Sequence, residues 1–277
     1  MSRFKAFLCS LLCSLLCFVP LCLLALQGQL AASPATAKAE KVPVDTPRPG
    51  DYKNILLVVQ NPDPAFLLFR FDGMQNCVNG AVFPKDTVVL LSGKPVTLEA
   101  CYQAAGPAQA RDALGETFSL RIDNYFDVPV KTLSNSAAGF GAVRMGMNDF
   151  GQIKNLESLK QFVFDGGESD VSPAAAMVLV RDGGLEGEAL ASLRAKLYQN
   201  FLRAAPAELS ACFTGAAQAS GTLTDLTATE APVYQRIFSM FKHTEPDVRV
   251  RRIPGIQTKN GYELNEESAQ LAEEFFI

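Results

Sequence analysis

Histidine is nearly absent from this chain, and several chemistries go with it. One histidine, His243, occurs in 277 residues. A Ser-His-Asp triad or a histidine-built metal centre would have to be raised on that residue alone. It lies among charged neighbours with no partner group supplied, and reads as a surface residue. No G-x-x-x-x-G-K phosphate loop is present. Gly139, Gly141 and Gly146 fall near one another but do not make a strand–G-x-G-x-x-G–helix unit, so a dinucleotide site is not indicated. No basic domain stands out either. The net charge is −4 with both signs scattered along the chain, which argues against nucleic acid as a partner. Cysteine is sparse where it could do chemistry. Four of the seven cysteines (Cys9, Cys13, Cys17, Cys22) sit in the first apolar run and read as small apolar fillers. Lipidation is the alternative there, but none follows a small residue. Cys77, Cys101 and Cys212 are odd in number and suit neither a zinc site nor a redox pair. A Cys77–Cys101 disulfide is allowed in an oxidising compartment but not required.

What is present begins with a membrane segment. Arg3 and Lys5 precede a run without charge from Phe7 to Leu26, about the 20 residues a helix needs to cross a bilayer. Secretory signals have shorter apolar regions, roughly 7–15 residues. The expectation is therefore a transmembrane signal-anchor over residues 1–26, with cleavage near Ala31–Ala37 as the alternative. The preceding basic residues favour a cytoplasmic N-terminus and an exported, extracytoplasmic body. Residues 27–51, rich in Ala, Pro, Thr and Lys, read as a flexible linker. Residues 52–277 are then one domain, and with 48% apolar residues in the chain a sizeable core needs no staples.

Within that domain Ile55–Val59 is a continuous apolar run suited to a strand buried on both faces. Phe66–Phe71 is a second strand, closed by Asp72-Gly73. Val82-Phe83, Val88–Leu91 and Val96–Leu98 are short strand signals around Pro84-Lys85-Asp86-Thr87. Pro107 suits the first turn of a helix carrying Leu114 and Phe118. Tyr125–Val130 and Ala142–Met147 read as strands, with a short helix over Leu133–Phe140. Ser172-Pro173 caps a helix over Ala174–Arg181, which Gly183-Gly184 ends. Glu188–Ala204 carries Leu190, Leu193, Leu197 and Phe201 on one face. Further helices follow Pro206 and run through Val233–Phe241 and Asn265–Phe275, with a strand at Val248–Ile253. Interleaving of this kind predicts an α/β domain: a mixed central sheet with helices on both faces.

Chemistry-bearing residues gather at element ends. Lys85 and Asp86 follow a strand, Arg181 and Asp182 end a helix, and Arg194 lies on the next. If they converge, they could hold a pyrophosphate and a divalent cation, because Arg grips phosphate oxygens bidentately and Asp is a hard oxygen ligand. Singly, each reads as a solvated charge.

The order of these pieces resembles the LytR–CpsA–Psr family of bacterial envelope proteins. Asn54–Val59 looks like the family's opening strand. Phe83–Thr87 (FPKDT) resembles its I-P-R-D-T motif, and Leu98–Gly106 resembles its I-N-A-A-Y segment. Ile122–Tyr125 resembles I-D-x-Y, and Val171–Arg181 resembles L-x-G-x-x-A-L-x-Y-V-R. The resemblance implies a phosphotransferase that moves a glycopolymer from a polyprenyl-pyrophosphate carrier to peptidoglycan, with the lipid tail in an apolar groove and Mg2+ offsetting charge. By that resemblance Arg181, Arg194 and Asp86 are the catalytic candidates, Lys85 binds substrate, and Asp63 is the candidate metal ligand. The chain departs from the pattern in three places. Lys85 replaces the motif arginine and lacks its planar fork. Asp63 is the only acid in Gln60–Ala65, where the family carries acidic and arginine ligands. The segment after Arg181 lacks most of the family's arginines. A divergent member is therefore expected. A catalytically inactive relative that binds polyprenyl lipid or an envelope partner is one alternative, and a structural or regulatory exported domain is another.

Overall fold

A computed structural model describes residues 47–60, 63–150 and 153–277. The expected membrane segment and the linker up to residue 46 lie outside the described residues. Among those described, no helix is long and apolar enough to cross a membrane.

The described residues form one unit. It opens with an antiparallel meander: β1 (Tyr52–Gln60), β2 (Ala65–Asp72) and β3 (Cys77–Phe83), with Leu56 opposite Leu68 and Leu68 opposite Ala81. Every residue of β2 and β3 is buried, as expected for near-continuous apolar strands covered on both sides. A small hairpin follows, β4 (Val88–Leu91) and β5 (Lys94–Thr97), then α1 (Leu98–Phe118). Leu98, expected to close a strand, instead opens this helix, because the Thr97 hydroxyl caps it by accepting from the Ala100 N–H. Helical geometry breaks at Ala105 and at Gly106, whose φ of +74° suits glycine, and resumes at Pro107. The sequence signals only that second half.

Next come β6 (Asn124–Pro129), α2 (Val130–Ser136), the hairpin β7 (Val143–Gly146) and β8 (Glu168–Val171), α3 (Pro173–Asp182) and α4 (Gly187–Ala204). Ser172 caps α3 as its sequence predicts, accepting from Ala175 N–H at 3.2 Å. After α5 (Leu209–Gln218), β9 (Leu223–Thr224) and α6 (Ala231–His243), the chain returns through β10 (Asp247–Arg252). The hairpin β11 (Ile256–Thr258) and β12 (Gly261–Glu263) and α7 (Glu266–Phe276) close it. The six-stranded sheet runs β10-β3-β2-β1-β6-β9 and is mixed: β1–β6 and β10–β3 are parallel, the other pairs antiparallel.

Alternate residues feed two cores. Ile55, Phe69, Phe71, Phe126 and Val128 pack with residues of α2, α4, α5 and α6. Leu56, Val58, Phe66 and Leu68 pack with α1 and α7. A third cluster joins α3 and α4 to β7 and β8. Cys77, Cys101 and Cys212 are free thiols.

Candidate functional site

The first of these faces is not filled. An apolar slot opens between the sheet residues Ile55, Leu57 and Val128 and the walls formed by α2, α3, α4 and α5. Its free volume is about 150 Å³. Helical periodicity builds one wall: Pro173, Ala176, Met177 and Val180 of α3 recur at helical spacing and all line it. Phenyl rings supply much of the rest, with Phe126 and Phe213 centroids 4.7 Å apart.

Among the lining residues, Arg194 alone carries a charge. Its place on α4 puts it one turn before Tyr198 and Leu197, so the same face that packs into the core delivers a guanidinium. Arg194 is 6% exposed and makes no hydrogen bond or ion pair with any described residue. Burial holds its pKa below the usual arginine value, while the nearby Tyr198 and Asp63 act in the opposite direction. A buried cation without a partner costs on the order of several kcal/mol.

Asp63 links Arg194 to the charged motif. The Lys85 ammonium donates to Asp63 Oδ1 and stands 3.8 Å from Glu99 Oε1. The Asp63 hydrogen bond raises the Lys85 pKa; Glu99 and Glu186 add to it against partial desolvation. Backbone bonds hold the motif as a turn against the start of α1: Thr87 N–H and Oγ1 both donate to Pro84 O, and Glu99 N–H donates to Lys85 O at 2.9 Å.

The structure therefore brings Asp63, Lys85 and Arg194 together and leaves two candidates elsewhere. Arg181 is 60% exposed and paired with its neighbour Asp182 at 2.6 Å; the turn of α3 that presents Val180 to the slot carries Arg181 away from it. Asp86 binds the β11–β12 hairpin. Its Oδ2 accepts from Gln257 Nε2 at 2.7 Å and its carbonyl from Tyr262 N–H at 2.9 Å. Gly261 permits this approach, because a Cβ there would lie 2.4 Å from Asp86 O. The motif residues Asp123 and Tyr102 also have structural partners. Asp123 accepts from Asn54 N–H at 2.9 Å and so fixes the start of β1. Tyr102 donates to the buried Asp127. Sequence reasoning missed Glu99 and Gln257; nothing local marks either, and Gln257 arrives on strands too short to show a period.

The residues present fit a preformed magnesium site poorly. The Asp63 carboxylate is engaged by an ammonium. One oxygen of Asp86 is taken by Gln257, and the other is shut off from solvent without a hydrogen-bond partner, whereas bound Mg2+ keeps several waters. Among the described residues, no three acidic, histidine or cysteine side chains gather as a metal cluster.

No protein-family model and no curated sequence matches the chain. Solved structures do. A protein described as a transcription regulator from Eubacterium siraeum superposes with a TM-score of 0.64 at 13% identity, over 83% of this chain and 92% of that one. TagT bound to LIIa-WTA gives 0.62 at 14% identity, over 82% and 92%. The LytR-CPS2A-psr family protein YwtF (TagT) with bound octaprenyl pyrophosphate lipid gives 0.59 at 13%, over 82% and 91%. The chain carries the LytR–CpsA–Psr fold. At such identities the likeness is one of backbone architecture.

Proposed function

We propose that this domain binds a polyprenyl phosphate or pyrophosphate lipid, its tail in the slot and its head against Arg194. One observation carries the reading: a buried guanidinium with no partner among the described residues, on the wall of a slot that is otherwise uncharged. Phosphate oxygens match the planar fork of arginine bidentately and would repay its desolvation. Isoprenoid carbons would cover apolar wall now facing free space. The same fold in TagT holds octaprenyl pyrophosphate. On this reading the domain sits outside the cell membrane, tethered by the expected N-terminal anchor, and receives its lipid from that membrane.

Native mass spectrometry of the full chain purified from bacterial membranes tests the reading. The expected result is a bound mass equal to a polyprenyl phosphate or pyrophosphate, lost in Arg194→Met. A chain that carries no lipid and takes up none when polyprenyl phosphate is added would end it.

Glycopolymer transfer to peptidoglycan is the second reading, favoured by TagT bound to LIIa-WTA on this fold and by Lys85 lying beside the Asp63–Arg194 site. In that reaction an acceptor hydroxyl forms a new P–O bond to the polymer phosphate. The P–O bond to the carrier breaks, polyprenyl phosphate leaves with the bridging oxygen, and the hydroxyl proton passes to the leaving phosphate or to water. Arg194 and Lys85 would offset charge on the transferring group. Arg181, turned away, would contribute nothing, and no step runs through a metal ion. Release of polyprenyl phosphate from a lipid-linked glycan on adding peptidoglycan would distinguish transfer from binding alone.

A further inference from the structure

We propose, resting on lipid binding in the slot, that the phosphate head is held without a divalent cation, the Lys85 ammonium taking the place beside Asp63 that a magnesium ion would need. Asp63 is the one acid in the Gln60–Ala65 loop, and Lys85 Nζ is already hydrogen-bonded to it. Glu99, 3.8 Å from the same nitrogen, fixes the ammonium from a second side. A magnesium ion at Asp63 would meet that positive charge and would have to displace it. It also demands near-octahedral oxygen coordination. Asp86 cannot complete such a shell, with one oxygen bound to Gln257 and the other enclosed away from water.

Arg194 on the slot wall and Lys85 beside Asp63 nevertheless offer the cations that a phosphate requires. An ammonium has three donors. One is given to Asp63, while Glu99 at 3.8 Å is an ion-pair neighbour beyond hydrogen-bond reach, which leaves two for phosphate oxygens. Arg194 brings a fork with none of its donors engaged by a described residue. Lys85 is thereby a fixed monovalent substitute for a mobile divalent ion: it compensates Asp63, and it adds a positive contact at the head. The same logic predicts what its removal does. Without the ammonium, Asp63 becomes a bare carboxylate beside a phosphate, which is the arrangement that recruits Mg2+.

Isothermal titration calorimetry of the full chain with farnesyl pyrophosphate, in EDTA and in magnesium chloride, tests this. The wild type is expected to bind equally in both buffers, within about threefold. Lys85→Ala is expected to bind about 10–100-fold more weakly in EDTA, the loss of one charge-assisted hydrogen bond, and to regain affinity in magnesium. Lys85→Arg should keep metal-free binding. A wild type that binds tenfold or more tightly only with magnesium leaves the slot reading standing and overturns this proposal. So does a Lys85→Ala variant that binds in EDTA like the wild type. If the wild type binds in neither buffer, the slot reading itself fails and this proposal falls with it.

Discussion

The two faces of the central sheet are made by the same strands and behave differently. Leu56, Val58, Phe66 and Leu68 on one face are at most 0% exposed and pack against α1 and α7. Ile55, Leu57, Phe69 and Phe126 on the other line the slot. No residue of the packed face lines it. Composition does not explain the contrast, since both sides are apolar and aromatic. The partners do. The packed face is covered by two helices whose small residues, Ala110 and Ala113 among them, sit close on the sheet. The slot face is covered by α2, α3, α4, α5 and α6, and polar contacts tie α6 to the sheet and to Asp51. Tyr234 donates to Asn124 Oδ1 at 2.6 Å, and Arg236 grips Asp51 at 2.7 Å. One face is closed; the other keeps free space.

Breaking the packed face should produce the largest effect. Phe66→Ala removes a fully buried ring that meets Tyr102 edge-on at 5.8 Å and is expected to cost about 3–5 kcal/mol. Met177→Ala, on the slot wall, removes atoms that already border free space and should cost about 1 kcal/mol or less; urea titration compares the two. If both cost the same, the faces do not differ as described.

The polar ties come next. Asp51→Asn leaves Arg236 without its carboxylate and is expected to cost about 1–3 kcal/mol at neutral pH, moderated because Arg236 keeps 20% of its side chain in solvent. The Arg236 hydrogen bond holds the Asp51 pKa below the usual 3.8, against the opposing effect of burial. With the folded value below the unfolded one, the unfolded chain binds the proton more readily, and the stabilisation is lost as pH falls from 3.8 through the folded value. Wild type and variant should therefore differ in stability at neutral pH and converge on acidification. A difference that does not shrink on acidification would contradict the pairing.

Arg194→Met sharpens the comparison in the other direction. It makes the slot face more like the packed one and is expected to raise unliganded stability by about 1–3 kcal/mol, the desolvation no longer suffered by an unpaired group, while lipid binding is lost. A fall in stability would show that Arg194 has a structural partner. Arg181→Ala should do least: no change in melting temperature and none in lipid binding, since its contact is an exposed pair with the adjacent residue.

The mixed sheet and its covering helices were legible because long elements write strong periods. The apolar run of β1, the Ser172 cap and the Leu190–Leu193–Leu197 stripe all appear where their spacing places them. Elements of two to four residues, such as β8, β9 and β11–β12, carry no period and were missed. The site was half legible for a related reason. A charge at a strand end marks Lys85, and the resemblance marks Arg194, but which way a side chain leaves its helix depends on packing. Arg181 and Arg194 read alike in sequence; one turn of α3 sends the first into water, and the inward face of α4 sends the second into the slot. Asp86 sits in the motif that the sequence marks for chemistry, yet its Oδ2 and carbonyl serve a hairpin whose strands are too short to show a period.

Cys212 lines the slot, and burial lifts its thiol pKa to about 12, whereas the other two described thiols, Cys77 and Cys101, lie elsewhere in the fold. At neutral pH it stays protonated, and it borders the space where a lipid tail would lie. Its rate of alkylation is thus a native gauge of whether that passage is empty or filled, with no label added to the chain.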